Sequence, residues 1–531
     1  MNGPPMLRRI LSSVAKAFRN PDIRQLLAWC LPALLAGFMV RAALTWQLPF
    51  GHYHSDTPDF LTTPDRLLFD HRFELHTKKT FLAPVFFTLP FLLHVPALIA
   101  IPAVQHLLGL GLVVLIGLIC RLWFVHWKWF IVPLTLIAAL HPALLWFEHT
   151  LMAETIFLFC TVLLAVAGTL YARQQKPPRF VLLCVALVLE AGARPEGKLL
   201  LGFGILLIIL VHRRDYRRRL PQLAAILLLA VALHFLTRTS QAGLLLYTSV
   251  ARLTPPDLAA APGFESYVAE ERATLQRRWD EMRLFPKVAD RRVIAGAVEQ
   301  YLMDQRTTAL PNHRHSVNDF CAKLAAETCL RQFCRLPEHV YWKFRYTATE
   351  APNGLLDQKW LWDAQDGAYA DQADRALRLS RGLTGRSMTS VEEWEEFVRE
   401  HYREVRWFNA WSAGWFGLVN AWRLPDTGFE SRAFAPGTVI YRGLPIYFLL
   451  GGAGLIVIAL RRGPLRPFHI AWGLTLAAFF FAIILTANVK PRFRFVFEPF
   501  WFLYIALLVE SLVLGIAGFR SSRTARNSDV C

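Results

Sequence analysis

The sequence has few cysteines for its length, and their spacings match no zinc-binding pattern. Eight are spread over 531 residues, whereas structural zinc sites need closely spaced pairs of cysteine or histidine. Three of them share the one long polar segment of the chain: Cys321, Cys329 and Cys334. A structural zinc site is therefore not predicted. One disulfide within the polar segment stays open as an alternative if that segment faces an oxidising compartment.

The sequence also lacks internal repeats, low-complexity tracts other than a polar C-terminal tail, and any basic stripe interleaved with aromatic residues. Single-stranded nucleic acid is bound by such stripes, so no nucleic-acid partner is predicted in spite of a net charge of +18. The basic residues lie mostly in short loops between apolar segments. That distribution is typical of a protein anchored to a cytoplasmic membrane leaflet. Membrane lipid is therefore a predicted partner of the chain.

The sequence is rich in long apolar segments. Hydrophobic residues make up 54% of the chain and the mean hydropathy is +0.32, which excludes an ordinary soluble enzyme. A bilayer is crossed by about 20 apolar residues. On that criterion the chain is an all-α polytopic membrane protein of about ten transmembrane helices, at residues 26–48, 96–120, 128–147, 150–171, 179–193, 196–212, 219–236, 440–460, 468–487 and 495–517.

Two apolar segments need a separate interpretation. The first follows a basic N-terminus but is long and has no small-residue cleavage site, so it is interpreted as a retained signal anchor. Residues 80–93 are short and are interrupted by Pro84 and Pro90. A re-entrant or interfacial piece is predicted there.

The Lys and Arg content of the short loops predicts the orientation of the chain. With the N-terminus inside, the cytoplasmic segments hold more than twice as many Lys and Arg as the opposite short loops, as the positive-inside rule expects. A bacterial inner or plasma membrane is the predicted location, with both termini cytoplasmic. The predicted segments are a basic N-terminus (1–25), a transmembrane catalytic module (26–236) with an outer loop (49–79), an extracytoplasmic insertion (237–439), C-terminal transmembrane helices (440–517) and a cytoplasmic tail (518–531).

The insertion between spans seven and eight has the length of an independent domain. Apolar residues recur at helical spacing over 264–305 and 316–349, which predicts a mainly helical extracytoplasmic domain. Residues 405–422 carry Trp and Phe with few charges, and they are predicted to lie along the membrane interface.

Ionisable residues collect in four outward-facing loops of this topology. Such side chains at a membrane face are costly unless they stay wet or are paired. The same side thus carries both acids and cations, which predicts an extracytoplasmic active site at the membrane surface. The candidates are His54, Asp56 and Asp59 in the first loop, Glu148, His149 and Glu154 in the second, Arg194 in the third, and Lys490, Arg492 and Arg494 in the last.

Each candidate also has a simpler structural interpretation. The acids of the first loop would cap or turn a loop helix. Glu148 and Glu154 would face solvent at a helix end, where Glu154 gains from the helix dipole. The basic residues would be interfacial anchors that snorkel, and Arg41 would either snorkel or be internally paired.

The order of four motifs resembles a known family. The chain carries, in this order, SDTPDF after span one, HPALLWFEHTLMAETIF across spans three and four, ARPEG before span six and VKPRFRFVFEPF at the last span. Together these motifs resemble the C-class membrane glycosyltransferases, especially the protein O-mannosyltransferase and aminoarabinose-transferase branch and its bacterial relatives. The resemblance covers roughly 26–212 and 440–517. The family commonly has Asp-Glu in the first outer loop, where this chain has Asp56 followed by Thr57, and Arg-Tyr in the last, where this chain has Arg-Phe.

The resemblance implies a hexosyl- or pentosyltransferase that moves a sugar from a polyprenyl-phosphate donor to an extracytoplasmic protein, lipid or glycan, with inversion. An oxocarbenium-like transition state needs only modest proton removal, which a carboxylate can supply, and arginine suits a departing phosphate. No cofactor is then required, although a divalent metal held by His52, His54 and Asp56 stays open. The implied roles are general base for Asp56 with Asp59 or Glu154 assisting, phosphate binding for Arg492, Arg494, Arg194 and Lys490, and acceptor orientation for Glu148, His149 and His54.

Two other functions stay open at this point. A transporter or flippase of a lipid-linked glycan would place ionisable groups near the midplane of the membrane and often has inverted repeats, and the sequence has neither feature. A non-catalytic envelope assembly protein would use the insertion to bind partners. An assay with purified protein and the sugar donor distinguishes the three functions: the protein transfers the glycan, translocates it, or does neither.

Overall fold

Long apolar helices dominate the computed structural model of this chain. Within the described residues, three are long and apolar enough to cross a membrane, Pro21–Gln47, Ala97–Trp123 and Glu154–Arg173, and the bent pair Lys128–Leu140 and Pro142–Glu148 adds a fourth if it is one span. These are features of an integral membrane protein, whereas the count of about ten spans stays a prediction. The structure describes residues 20–53, 57–75, 79–213, 216–236, 242–280, 288–304, 313–340, 350–352, 370–401, 405–419, 433–435, 438–440, 446–461, 463–486 and 497–528.

The helices before the insertion follow most of the predicted spans. The predicted interfacial piece at 80–93 is a separate short helix, and short 3-10 turns precede three of the helices, at Lys128–Phe130, Pro195–Leu200 and Tyr216–Arg219. The α-helices are α1 (Pro21–Gln47), α2 (Thr57–Phe69), α3 (Leu82–Leu92), α4 (Ala97–Trp123), α5 (Ile131–Leu140), α6 (Pro142–Glu148), α7 (Glu154–Arg173), α8 (Pro177–Ala193), α9 (Leu201–Val211) and α10 (Leu220–Leu236).

The remaining described elements are mostly helical, as predicted. They are α11 (Ala242–Val250), α12 (Glu265–Asp280), α13 (Val288–Asp304), α14 (His313–Arg331), α15 (Ala370–Arg378), α16 (Ser380–Thr384), α17 (Val391–His401), α18 (Arg406–Val419), α19 (Ile446–Leu460), α20 (Arg466–Thr486) and α21 (Glu498–Ser528), with 3-10 turns at Ala251–Leu253 and Phe333–Arg335. The all-α prediction misses one small antiparallel sheet, ordered β1-β3-β2, of β1 (Glu350–Pro352), β2 (Ala433–Ala435) and β3 (Thr438–Ile440).

The span predicted at 128–147 is broken in its middle. Residue His141 has an extended backbone (φ −65°, ψ 115°) between α5 and α6, and the two parts meet at a bend of 51°. Pro142 is the cause, because proline disfavours helical backbone at the residue before it and cannot donate a helical hydrogen bond. The break changes the direction of the chain at the start of the second predicted outer segment.

Two of the hydrophobic cores in the described residues include parts of the insertion and show how it is packed. The larger unites the apolar helices with α15, α16 and α17, through residues such as Ala376, Leu383 and Trp394. The smaller joins residues between Tyr247 and Ala325 of the insertion. Part of the insertion therefore packs directly on the transmembrane helices, and the domain limits 237 and 439 stay a prediction.

Helix α18 corresponds to the segment predicted to lie along the membrane interface. Its Phe408 and Phe416 are buried against the end of α1 and against α6, and Trp407 Nε1 donates to Gln47 Oε1 at 2.8 Å. The helix is therefore attached to the protein by one face.

The described cysteines are all free thiols. Cys321 is buried in the core formed by residues between Tyr247 and Ala325, and this burial raises the pKa of its thiol to about 12.

Candidate active site

The first outer loop is paired with the second. His52 N donates to His149 O at 2.8 Å, and Leu151 N donates to His52 O at 3.0 Å. The Thr57 hydroxyl, at the start of α2, donates to Leu151 O at 3.1 Å. The two predicted site residues between Tyr53 and Thr57, His54 and Asp56, lie outside the described residues.

Asp59 lies in the first turn of α2 and faces a lysine that sequence reasoning did not single out. Lys79 Nζ is 3.5 Å from Asp59 Oδ2, and the two side chains are 13% and 16% exposed. The same ammonium group lies 4.2 Å from the centre of the Phe60 ring, a favourable cation–π distance. The only sequence signal for Lys79 was its position directly before the short apolar segment 80–93.

Glu154 and Arg194 join the second outer segment to the third. Arg194 Nη1 donates to Glu154 Oε1 at 2.8 Å, and Arg194 Nε donates to Glu196 Oε2 at 3.2 Å. Glu154 is 3% exposed, so it does not face solvent at the helix end. Arg194 is likewise held inside the protein by two carboxylates and is not a free interfacial anchor.

Glu148 forms a buried ion pair with Arg41 of α1. Arg41 Nε donates to Oε2 at 2.7 Å and Nη2 donates to Oε1 at 2.6 Å, which is the bidentate geometry that guanidinium and carboxylate groups prefer. Glu148 is 2% exposed, and the interpretation of this residue as solvent-facing is wrong. Of the two interpretations given to Arg41, internal pairing is confirmed.

His149 is fully buried next to a second histidine. His106 Nδ1 donates to Glu148 Oε2 at 3.0 Å, and His106 Nε2 lies 3.2 Å from His149 Nδ1. Burial lowers the pKa of His149 well below its ordinary value, and the neighbouring imidazoles of His106 and His52 lower it further. Burial also lowers the pKa of His52 to about 4. The two imidazoles His52 and His149 are therefore neutral at pH 7.

The last helix is tied to the second outer segment by a glutamate that sequence reasoning missed. His141 Nε2 donates to Glu498 Oε2 at 2.8 Å, and the Tyr447 hydroxyl donates to Glu498 Oε1 at 2.8 Å. The sequence signal was present, since Glu498 lies within the VKPRFRFVFEPF motif. The cations of that motif, Lys490, Arg492 and Arg494, lie outside the described residues.

The insertion covers the first outer loop. Asp65 of α2 is 2% exposed and accepts from Arg375 Nε at 3.3 Å and from Arg378 Nη2 at 2.9 Å. Arg375 Nη1 also donates to the carbonyl of Pro58 at 3.0 Å. The Trp394 ring meets the Tyr53 ring edge-on, with centroids 5.6 Å apart. Helix α15 therefore contacts α2, and α17 contacts Tyr53, on the two sides of the Asp56 position in the sequence.

A small cavity separates the two buried ion pairs. Its lining includes Glu148, Glu154 and Thr155 among apolar side chains, and it has room for about one water molecule. Among the described residues no three His, Cys, Asp or Glu side chains gather as metal ligands do. Two members of the open metal alternative, His54 and Asp56, fall outside those residues, so the absence of a required cofactor stays a prediction.

Comparisons with known proteins give one distant structural similarity. No protein-family model matches the chain, and no curated protein matches it. A solved structure, ArnT from Cupriavidus metallidurans bound to undecaprenyl phosphate, is similar over 87% of this chain and 77% of that chain, at 14% identity and a TM-score of 0.30. A TM-score this low does not establish a shared fold, and the function argued next depends on this chain's own residues.

Proposed function

We propose that this protein is a membrane glycosyltransferase that uses a polyprenyl-phosphate sugar. One observation carries the proposal: described parts of the first three outer segments and the start of the last helix are in direct contact. Segment one pairs with segment two through His52 and His149, segment two with segment three through Glu154 and Arg194, and segment two with the last helix through His141 and Glu498. Acids and cations far apart in sequence thus belong to one region of the helix bundle.

The proposed reaction is a direct displacement at the anomeric carbon. Asp56 accepts the proton of the acceptor hydroxyl as the acceptor oxygen bonds to C1 of the sugar. The bond from C1 to the phosphate oxygen breaks, and its electron pair leaves with the polyprenyl phosphate. Attack from the face opposite the phosphate inverts C1. A carboxylate suffices as base because the oxocarbenium-like transition state carries most of its charge on the sugar.

Cations must offset the charge that develops on the departing phosphate. Arg492, Arg494 and Lys490 are proposed for this role because they lie in the segment that leads into Glu498. Arg194 is proposed to assist, although its guanidinium already binds Glu154 and Glu196. Arginine suits the role through paired N–H donors that match two phosphate oxygens.

The lipid tail of the donor is proposed to lie along α3. This helix is 11 residues long, too short to cross a bilayer. Val85, Leu89 and Leu92 are exposed on it, and their spacing places them on one helix face. One end of α3 follows Lys79 by three residues, so an apolar tail on this face would have its phosphate end near a cation.

Mass spectrometry of envelope glycans and glycoproteins tests the proposal. A strain without the protein should lose a sugar modification that the wild-type protein restores and Asp56→Asn does not. Asp70→Asn is the matched control, because Asp70 is an exposed acid of the same outer loop paired with Arg66. Near-normal restoration by an Asp56→Asn protein at normal abundance would contradict Asp56 as the base.

Donor dependence tests the phosphate-binding role. Membranes that contain the protein are supplied with a panel of radiolabelled polyprenyl-phosphate hexoses and pentoses. Arg492→Ala should raise the apparent KM for the sugar lipid that is used. An unchanged KM and kcat would make Arg492 a simple interfacial residue.

A further inference from the structure

Four side chains form a continuous buried polar network beside the proposed site. They are Arg41, His106, Glu148 and His149, contributed by α1, α4, the end of α6 and the turn after it. Arg41 also donates from Nη1 to the carbonyls of Gly37 and Ala139, both at 3.0 Å. The guanidinium thus joins α1, α5 and α6 at a single point.

The backbone of α4 is shaped to receive this network. A Cβ atom on Gly109 would lie 2.0 Å from Glu148 Oε1, far closer than atoms of this kind approach. The glycine therefore lets the carboxylate lie against the helix backbone. His106, one turn earlier on the same helix, stacks on His149 with centroids 5.4 Å apart.

The network ends where the first outer loop is held. The carbonyl of His149 accepts from His52 N at 2.8 Å, and Leu151 N donates to the carbonyl of His52. The neighbouring Gly51 N donates to Leu98 O at 2.6 Å. These three backbone hydrogen bonds fix the residues directly before the segment that contains Asp56.

A buried ion pair of this kind is weak support for stability, because apolar residues of similar volume are often as stable or more so. The geometry of the network instead fixes one relative position of four helices and a turn. We infer that Arg41, Glu148, His106 and His149 are positioning residues that hold the first outer loop, through its pairing with residues 149–151, in the arrangement that transfer requires. None of the four touches substrate in this role, which differs from acceptor orientation by Glu148 and His149.

Amide hydrogen–deuterium exchange of the intact protein in detergent tests the inference without any substrate. Arg41→Met/Glu148→Leu replaces the pair by apolar side chains, and His106→Gln removes the link between Glu148 and His149. Both variants should keep the wild-type melting temperature within a few degrees, yet exchange in peptides over 49–53 and 149–155 should rise on the order of tenfold. Unchanged exchange in these peptides in both variants overturns the inference.

A matched control is Glu510→Gln. Glu510 is a buried carboxylate that accepts from His126 N and Trp127 N, on a loop that the network does not touch. This variant should raise exchange over 124–130 and leave 49–53 and 149–155 unchanged. If it loosens all three regions equally, the network effect is global destabilisation and the inference fails.

The second readout depends on the proposed function. With the sugar-lipid panel, His106→Gln should lower kcat roughly tenfold and leave the donor KM unchanged, because an orienting effect acts on the transition state more than on donor binding. Faster exchange with unchanged kcat overturns the positioning role. If the wild-type protein transfers no sugar at all, the proposed function fails, and the exchange result still decides whether the network holds the loop.

Discussion

Replacing Gly109 by alanine should break the buried Arg41–Glu148 pair. The added Cβ would lie 2.0 Å from Oε1, 2.3 Å from Cδ and 2.7 Å from Oε2 of Glu148. All three contacts are too short to survive, so the carboxylate must leave the position from which it accepts two guanidinium hydrogen bonds at 2.6 and 2.7 Å. The backbone of α4 cannot move instead without disturbing its packing on α1, α5 and α7.

The expected loss of stability follows from two opposing effects. Separating one partner from a buried ion pair costs about 3–5 kcal/mol, since an uncompensated charge stays buried. Alanine regains about 0.5–1 kcal/mol over glycine inside a helix. The difference is a net loss of about 2–4 kcal/mol, which should lower the melting temperature of the detergent-purified protein clearly.

Two glycines serve as controls for this prediction. A methyl group added to Gly202 of α9 would meet no other atom within 4 Å, so Gly202→Ala should match or slightly exceed wild-type stability. Gly111→Ala lies in the same helix as Gly109 but meets only the edge of the Phe159 ring, at 3.2 Å, and should cost less. A Gly109→Ala protein as stable as these controls would refute the steric argument and the buried pair with it.

Three further predictions address other parts of the site. Arg194→Gln should destabilise the protein by about 3–5 kcal/mol, because it leaves Glu154 buried without its cation; thermal unfolding measures this, and no loss would mean that the pair does not form. Asp65→Asn should speed hydrogen exchange in α15 by weakening the contacts of Asp65 with Arg375 and Arg378, and unchanged exchange would mean that these contacts do not hold α15 against α2. Stability should fall as pH drops from about 6.5 towards 4, since His52 has a pKa of about 4 when folded and about 6.5 when unfolded, so the unfolded chain binds the proton first. This group contributes at most about 3 kcal/mol, and His52→Gln should make the pH dependence less steep.

Sequence reasoning predicted which segments lie on the outer side of the membrane but not which residues they contact. Counting Lys and Arg predicted that Glu148, Glu154 and Arg194 lie on one side of the membrane. Nothing local indicated that Glu148 would pair with Arg41, 107 residues earlier. Such a pair depends on the rotation of α1 about its axis and on the bend at Pro142, which only the packed structure determines.

The insertion illustrates a second limit. The VEEWEEFVREH segment has its apolar residues at helical spacing, so a helix with one buried face was predictable. Its partner was not, because Trp394 and Phe397 pack on Tyr53 and Phe50 of the first outer loop, more than 300 residues away. A domain boundary drawn from composition alone would separate side chains that share one core.

The pairings also distinguish the described acids by how well each could accept a substrate proton. Glu148 has both oxygens engaged by Arg41 and one also by His106, and Glu498 accepts from His141 and Tyr447. Glu154 is almost fully buried and bound by Arg194.

Asp59 is the most exposed of the four described acids, and its contact with Lys79 is longer, at 3.5 Å. Hydrogen bonds from Arg41, Arg194, His141 and Tyr447 occupy lone pairs that a base would need, so under the proposed function Glu148, Glu154 and Glu498 fit the role of structural anchors better than that of the base. Under the proposed function, these pairings favour the first outer loop for the proton-accepting role, with Asp59 as the described acid proposed to assist Asp56.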